Sequence, residues 1–238
     1  MGKMRKIVFW QNIISPHQVD FLRKLSKFHD ITLVVDEAQD TFRKNDGWVV
    51  PDFSNMKLVI RPSDDIFKGL FKNNENIHIF SGIGAYKYVH KGFKKAISIN
   101  AKIGLFSEPV KMTGFRGFLK YLKGNFQRLR YNNKIDFITA TGVLGVNTYL
   151  DFGYKKNKIF QSGYFIDPIE SFNNKKDRSI VYVGQLIERK QIVEFAKLFI
   201  LNNGLGYQSL NIIGKGPQKM ILEEISKSSN KVCKINLL

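Results

Sequence analysis

Arg189 and Lys190 stand side by side a few residues after Gly184, the glycine that ends the β-branched run Ile180-Val181-Tyr182-Val183. A glycine at a strand end lets the backbone come close to a phosphate. A cation at the start of the following helix can pair with a diphosphate. The same residues also fit an ordinary strand–loop–helix turn with solvated charges. A second turn, Gly214-Lys215-Gly216-Pro217, closes the run Leu210-Asn211-Ile212-Ile213. Here Gly216 is expected as N-cap and Pro217 as the first helical residue, with Ile221, Leu222 and Ile225 facing the core. Its amides can hold a phosphorylated ligand, although Gly-x-Gly-Pro is also plain turn chemistry.

Proton-transfer chemistry has fewer candidates. Glu108 ends a strand ahead of Pro109, where a carboxylate can accept a hydrogen bond from a hydroxyl or assist proton transfer. His17 lies in the first turn of a helix that opens at a strand's carboxyl end, the side on which open α/β sheets bind ligands. Ser15-Pro16-His17-Gln18 reads as a helix start, with Ser15 as N-cap, Pro16 at the first position and Gln18 completing a capping box. The four histidines have no metal spacing, so no metal site is expected. Gly82-Ile83-Gly84 lacks the third glycine of a dinucleotide fingerprint, because Lys87 stands there. No Gly-x-Ser-x-Gly elbow supports a hydrolase.

The elements that must position these residues alternate. Strands are expected at Lys6–Trp10, Ile31–Val35, Leu58–Ile60, Ile77–Phe80, Ile103–Phe106 and Ile135–Ala140. Helices are expected from Ser15 to Phe28 and over Ile66–Lys72, Gly82–Lys95, Phe115–Arg130 and Val143–Phe152. After a polar stretch the strand–helix pattern restarts at Ser179. This alternation predicts an α/β fold with a mostly parallel sheet. The implied division is 1–168, a linker over 169–178, and 179–238.

The formal charge is +18 over 238 residues, with 43% hydrophobic residues and one cysteine, Cys233. Such a field favours anionic partners, and a single cysteine excludes an intramolecular disulfide framework and suits a reducing compartment. No run reaches the length of a spanning helix. Lys111 to Lys134 carries seven Lys and Arg, Arg116, Lys120 and Lys123 among them, and no acidic residue. Phe115, Phe118, Leu119, Leu122, Phe126 and Leu129 fall on one helical face. Two readings stand: a helix lying on an anionic membrane surface, and a surface helix whose apolar side docks on its own sheet. Gly117 and Gly124 point to a mobile segment. The expected location is cytoplasmic, including the inner face of the membrane.

Taken together, these motifs resemble the large retaining glycosyltransferase family four. The resemblance rests on Asn12 to Leu22, Ala140-Thr141-Gly142, Ile159 to Asp167, Val181 to Lys190 and Ile212 to Pro217. It implies the GT-B fold, two Rossmann-like domains with parallel sheets, the second incomplete here. It implies transfer of a sugar from a nucleotide-diphosphate-sugar donor, with retention and no required cofactor or metal. The acceptor is a glycan or lipid-linked molecule of cell-surface polysaccharide biosynthesis. On this resemblance Gly184, Gln185, Arg189, Lys190, Gly214 and Gly216 bind the donor, Ser15, His17 and Gln18 lie on the acceptor side, and Glu108 is the catalytic candidate. Gln185 replaces a family arginine, and Arg189 is the residue placed to compensate. Lys215 stands where an acidic residue is common, and Glu108 where many members carry a histidine.

The family's paired glutamates, seven residues apart, do not occur in the sequence. The expectation is a truncated donor domain with little transferase activity of its own, and robust turnover of a nucleotide sugar by this polypeptide would overturn it. The competing reading is a non-catalytic basic binding module for nucleic acid or an anionic membrane. No RNA-recognition, KH, zinc-finger or helix-turn-helix signature is present, so nucleic acid is not expected as a partner.

Overall fold

Lys6–Ile13 (β1) is apolar without a break from Ile7 to Trp10 because that stretch lies inside a parallel sheet covered on both faces. Its side chains alternate. Val8 and Trp10 join one core cluster, with Phe67, Phe80 and Phe93; Ile7 and Phe9 join the other, with Ile14, Leu22 and Leu33. The structure, a computed structural model, describes residues 4–39, 44, 49–50, 52–53, 56–84, 86–165, 177–228 and 233–238. Most of the 169–178 linker, and Ile166-Asp167, lie outside the described residues. The chain divides into two compact units, Met1–Pro168 and Ile169–Leu238.

In the first unit β1 is followed by β2 (Asp30–Glu37), β3 (Lys57–Ile60), β4 (Ile77–Phe80), β5 (Lys102–Ser107), β6 (Phe137–Thr141) and β7 (Ile159–Ser162). They form one parallel sheet in the order β3-β2-β1-β4-β5-β6-β7. That is a doubly wound order, reversing between β1 and β4. Among the described residues the α-helices longer than one turn are α1 (Pro16–Ser26), α2 (Asp64–Leu70), α3 (Lys87–Ser98), α4 (Gly114–Tyr131) and α5 (Gly142–Asp151).

Several boundaries depart from the sequence pattern. β1 continues through Gln11 to Ile13 because β2 pairs with it as far as Ile13↔Glu37. α3 begins at Lys87 rather than Gly82, whose φ of 78° is incompatible with a right-handed helix. Phe28 lies beyond the end of α1 and is exposed. β7 was not expected as a strand: it is short and much of it is exposed, so no apolar run marks it.

α4 overturns two expectations. Its buried residues are Gly117 and Gly124, while the apolar residues from Phe115 (75% exposed) to Leu129 (70% exposed) face outward. A Cβ at Gly117 would lie 2.2 Å from the Met112 carbonyl carbon, and one at Gly124 2.4 Å from the Phe152 ring. The glycines are therefore the points of closest approach, and the helix runs unbroken through both. The edge of the Tyr131 ring against Phe93, 5.2 Å between centroids, completes the seat.

One polar group sits deep in the first core. The indole N–H of Trp10 donates to His78 Nδ1 at 3.1 Å, and the His78 ring stacks on Phe71 at 4.5 Å. Burial, helped by the charge of Lys6, lowers the His78 pKa to about 4, so the ring is neutral at pH 7.

Among its described residues the second unit has three parallel strands, β8 (Ser179–Val183), β9 (Ser209–Ile213) and β10 (Lys234–Leu237), in the order β10-β9-β8. With α6 (Ile192–Leu201) and α7 (Lys219–Lys227) they enclose a core around Leu186, Phe199, Leu210, Leu222 and Cys233. α7 starts at Lys219 with Gln218 as N-cap, so Gly216 and Pro217 belong to the preceding turn. Leu222 is buried and Ile225 packs at the core's edge, but Ile221 is exposed.

Candidate functional site

All strands of the first sheet run the same way, so the segments that follow them collect at one edge. After β1, Ser15 takes the extended backbone of an N-cap without a side-chain cap bond, and its carbonyl accepts the Gln18 amide. The expected capping box is absent. The Gln18 side-chain carbonyl instead accepts a hydrogen bond from Gln11 Nε2, a partner that the extra length of β1 brings within reach.

Glu108 and His17, read separately from the sequence, meet at a third residue. The Tyr164 hydroxyl donates to Glu108 Oε1, and the Tyr164 ring lies 5.4 Å from the His17 ring. Three segments contribute: the loop after β5, the first turn of α1 and the residues just past β7. Phe165 packs against Phe21 of α1 at 6.1 Å, which holds this segment over the helix start. A carboxylate, a phenol and an imidazole grouped this way can bind a polyol or relay a proton. Tyr164 lies in the Ile159 to Asp167 stretch, but the sequence assigns it no site role, because β7 ahead of it is not legible as a strand.

A cavity of about 520 Å³ opens at the same edge, lined by Asn12, Asp36, Arg61, Lys87 and Tyr88 together with Ile13 and Glu37. The Arg61 Nε–H donates to the Asp36 carbonyl at 2.8 Å, and its guanidinium pairs with Glu37. Arg61 takes a φ of 44°, an uncommon conformation for a residue with a side chain. Burial raises the Asp36 pKa against the opposing pull of the Tyr88 amide and Arg61, and among the described residues Oδ1 has no hydrogen-bond partner. The sequence hinted at this site only through two acidic residues at the end of an apolar strand.

In the second unit the two glycine turns are pinned to each other. Gly184 N–H donates to Ile213 O (3.0 Å), Leu186 N–H to Lys215 O (2.8 Å), and Gln218 N–H to Leu186 O (3.1 Å). A Cβ on Gly214 would stand 1.9 Å from Gly184 O, and one on Gly216 2.4 Å from Leu186 O. Close backbone approach thus accounts for both glycines, and three of the turn amides are committed within the protein. The Tyr182 hydroxyl donates to Gln185 O at 2.8 Å and fixes the crest of the first turn. Arg189 and Lys190 belong to a 3-10 turn, Glu188–Lys190, and both are exposed. Gln191, with a φ of 54°, separates them from α6, so Lys190 stands just before the helix and not in its first turn.

Arg116, Lys120 and Lys123 are exposed along α4. Among the described residues, no three His, Cys, Asp or Glu side chains converge as a metal site requires, and no helix is long and apolar enough to cross a membrane.

No protein-family model and no curated protein matches the chain. Solved structures do match. TarM aligns with 98% of this chain and 76% of its own, at 9% identity and a TM-score of 0.58. HepE of Anabaena, in complex with UDP and glucose, aligns with 98% of this chain and 70% of its own, at 8% identity and a TM-score of 0.56. The lipopolysaccharide outer core galactosyltransferase WaaB gives 98% and 68%, 12% identity and 0.56. The fold is of the GT-B type. At such identities the likeness carries the fold alone, and the chemistry must be argued from this chain's own residues.

Proposed function

We propose that the protein is a retaining glycosyltransferase that takes a sugar from a nucleotide-diphosphate donor to a glycan or lipid-linked acceptor in cell-surface polysaccharide synthesis. One observation carries this reading: Arg189 and Lys190 stand exposed beside two interlocked glycine turns at the carboxyl ends of β8 and β9. The GT-B fold, shared with structures such as HepE with UDP-glucose, supports it. In the reaction an acceptor hydroxyl bonds to the anomeric carbon on the face that the leaving group vacates, as retention requires, and the bond from that carbon to the phosphate oxygen breaks. Its electron pair leaves on the nucleoside diphosphate, and a base takes the hydroxyl proton. Arg189 and Lys190 would neutralise the departing diphosphate, with Arg189 offsetting the uncharged Gln185. Glu108, held by Tyr164, is the candidate base, and His17 completes the acceptor side.

Calorimetric titration with UDP and other nucleoside diphosphates tests the donor site. Arg189→Ala and Lys190→Ala are each expected to weaken binding about tenfold, the loss of one charge-assisted hydrogen bond. If neither change weakens binding, this turn does not hold the donor.

A further inference from the structure

α4 presents an apolar stripe that the described residues of its unit leave exposed. Phe115, Phe118, Leu119, Leu122, Phe126 and Leu129 are each about half exposed or more, roughly opposite the glycines that seat the helix. Six large apolar side chains on one exposed face need a partner. The flanking charge says which kind. Arg116, Lys123 and Arg130 recur every seven residues and therefore line one flank of the stripe, with Lys120 beyond them. Neither α4 nor the residues from Lys111 to Lys134 contain an acidic side chain.

We infer that α4 is an in-plane membrane anchor: its apolar stripe enters the acyl boundary of an anionic bilayer while its basic flank meets the headgroups. A helix with a large apolar face and a lysine- and arginine-rich border has this mode of binding. A second copy of the chain is the poorer occupant, because pairing two such stripes brings like-charged flanks together on molecules that each carry +18. The glycine seat contributes as well. Because Gly117 and Gly124 make the closest intramolecular contacts, none of the six stripe residues is buried in holding the helix to its unit. This inference does not depend on the transferase reading.

The test is co-sedimentation of the full chain with vesicles of phosphatidylcholine containing phosphatidylglycerol, against phosphatidylcholine alone. Wild type is expected to bind the anionic vesicles at least about tenfold more tightly, and less so as salt is raised. Arg116→Ser/Lys123→Ser/Arg130→Ser together should weaken binding roughly a hundredfold. Leu122→Asp/Phe126→Asp should abolish it with an unchanged thermal melt, since both side chains are exposed. Binding by the aspartate variant equal to wild type, or no preference for anionic vesicles, overturns the inference. So does a lipid-free dimer on gel filtration that the aspartate variant turns into a monomer, which would make the stripe a self-association surface.

Discussion

Replacing Gly214 with alanine is expected to open the second unit while leaving the first intact. The new Cβ would sit 1.9 Å from the Gly184 carbonyl oxygen, a backbone atom that cannot rotate aside. To relieve the clash the turns must separate, breaking Gly184 N–H···O Ile213 and Leu186 N–H···O Lys215. The cost is about 3 kcal/mol or more, large for a unit whose core is built on so few strands. Cys233 supplies the reporter. It is the sole cysteine and is fully buried in the core that these turns close. Its labelling by a thiol reagent should accelerate roughly a hundredfold in Gly214→Ala, because local opening is what admits the reagent. Gly69→Ala, in α2 with nothing within 4 Å of the added carbon, should label at the wild-type rate. Wild-type labelling in Gly214→Ala would show that the two turns are not interlocked in solution.

The second large effect is acid sensitivity of the first unit, centred on His78. Its folded pKa of about 4 lies below the ordinary value of 6.5, so between those values the unfolded chain takes up a proton that the folded chain refuses. The stability contributed by the neutral ring is therefore complete above pH 6.5 and is lost as the pH falls toward 4, about 3 kcal/mol in all. Urea unfolding followed by tryptophan fluorescence should lose about 2 kcal/mol between pH 7 and pH 5. Trp10, whose N–H donates to His78, reports the site directly. His78→Phe keeps an aromatic ring against Phe71 but cannot titrate, so it should flatten this interval even if it is less stable at neutral pH. An equal pH slope in both proteins would assign the acid sensitivity to other groups. Asp36 is not such a group: its raised pKa gives stability that is present at low pH and lost as the pH rises.

Much of the architecture was legible because parallel strands announce themselves. Runs such as Ile7-Val8-Phe9-Trp10 and Ile31 to Val35 are largely apolar on both faces, and the first ends in turn residues before the helical period of α1 begins. The glycine turns and the cations after β8 were visible for the same reason, as local chemistry at a strand end. What went unseen was decided at a distance. Tyr164 and Glu108 are 56 residues apart and meet only because β5 and β7 end at the same edge of the sheet. The Gln11–Gln18 contact replaced a capping box because the pairing of β1 with β2 carries the strand three residues further than its apolar run.

α4 gives the sharpest contrast. The sequence by itself determined that this helix has an apolar side, a basic border and two glycines, and that Gly184 and Gly214 end strands, with Arg189 and Lys190 shortly after the first. Only the tertiary structure decided which side of α4 faces inward. Periodicity shows that two faces differ, but not which one a neighbour can approach most closely. Met112 and Phe152 come within contact distance only where no Cβ stands, so the glycine face docks and the apolar face is left for another partner.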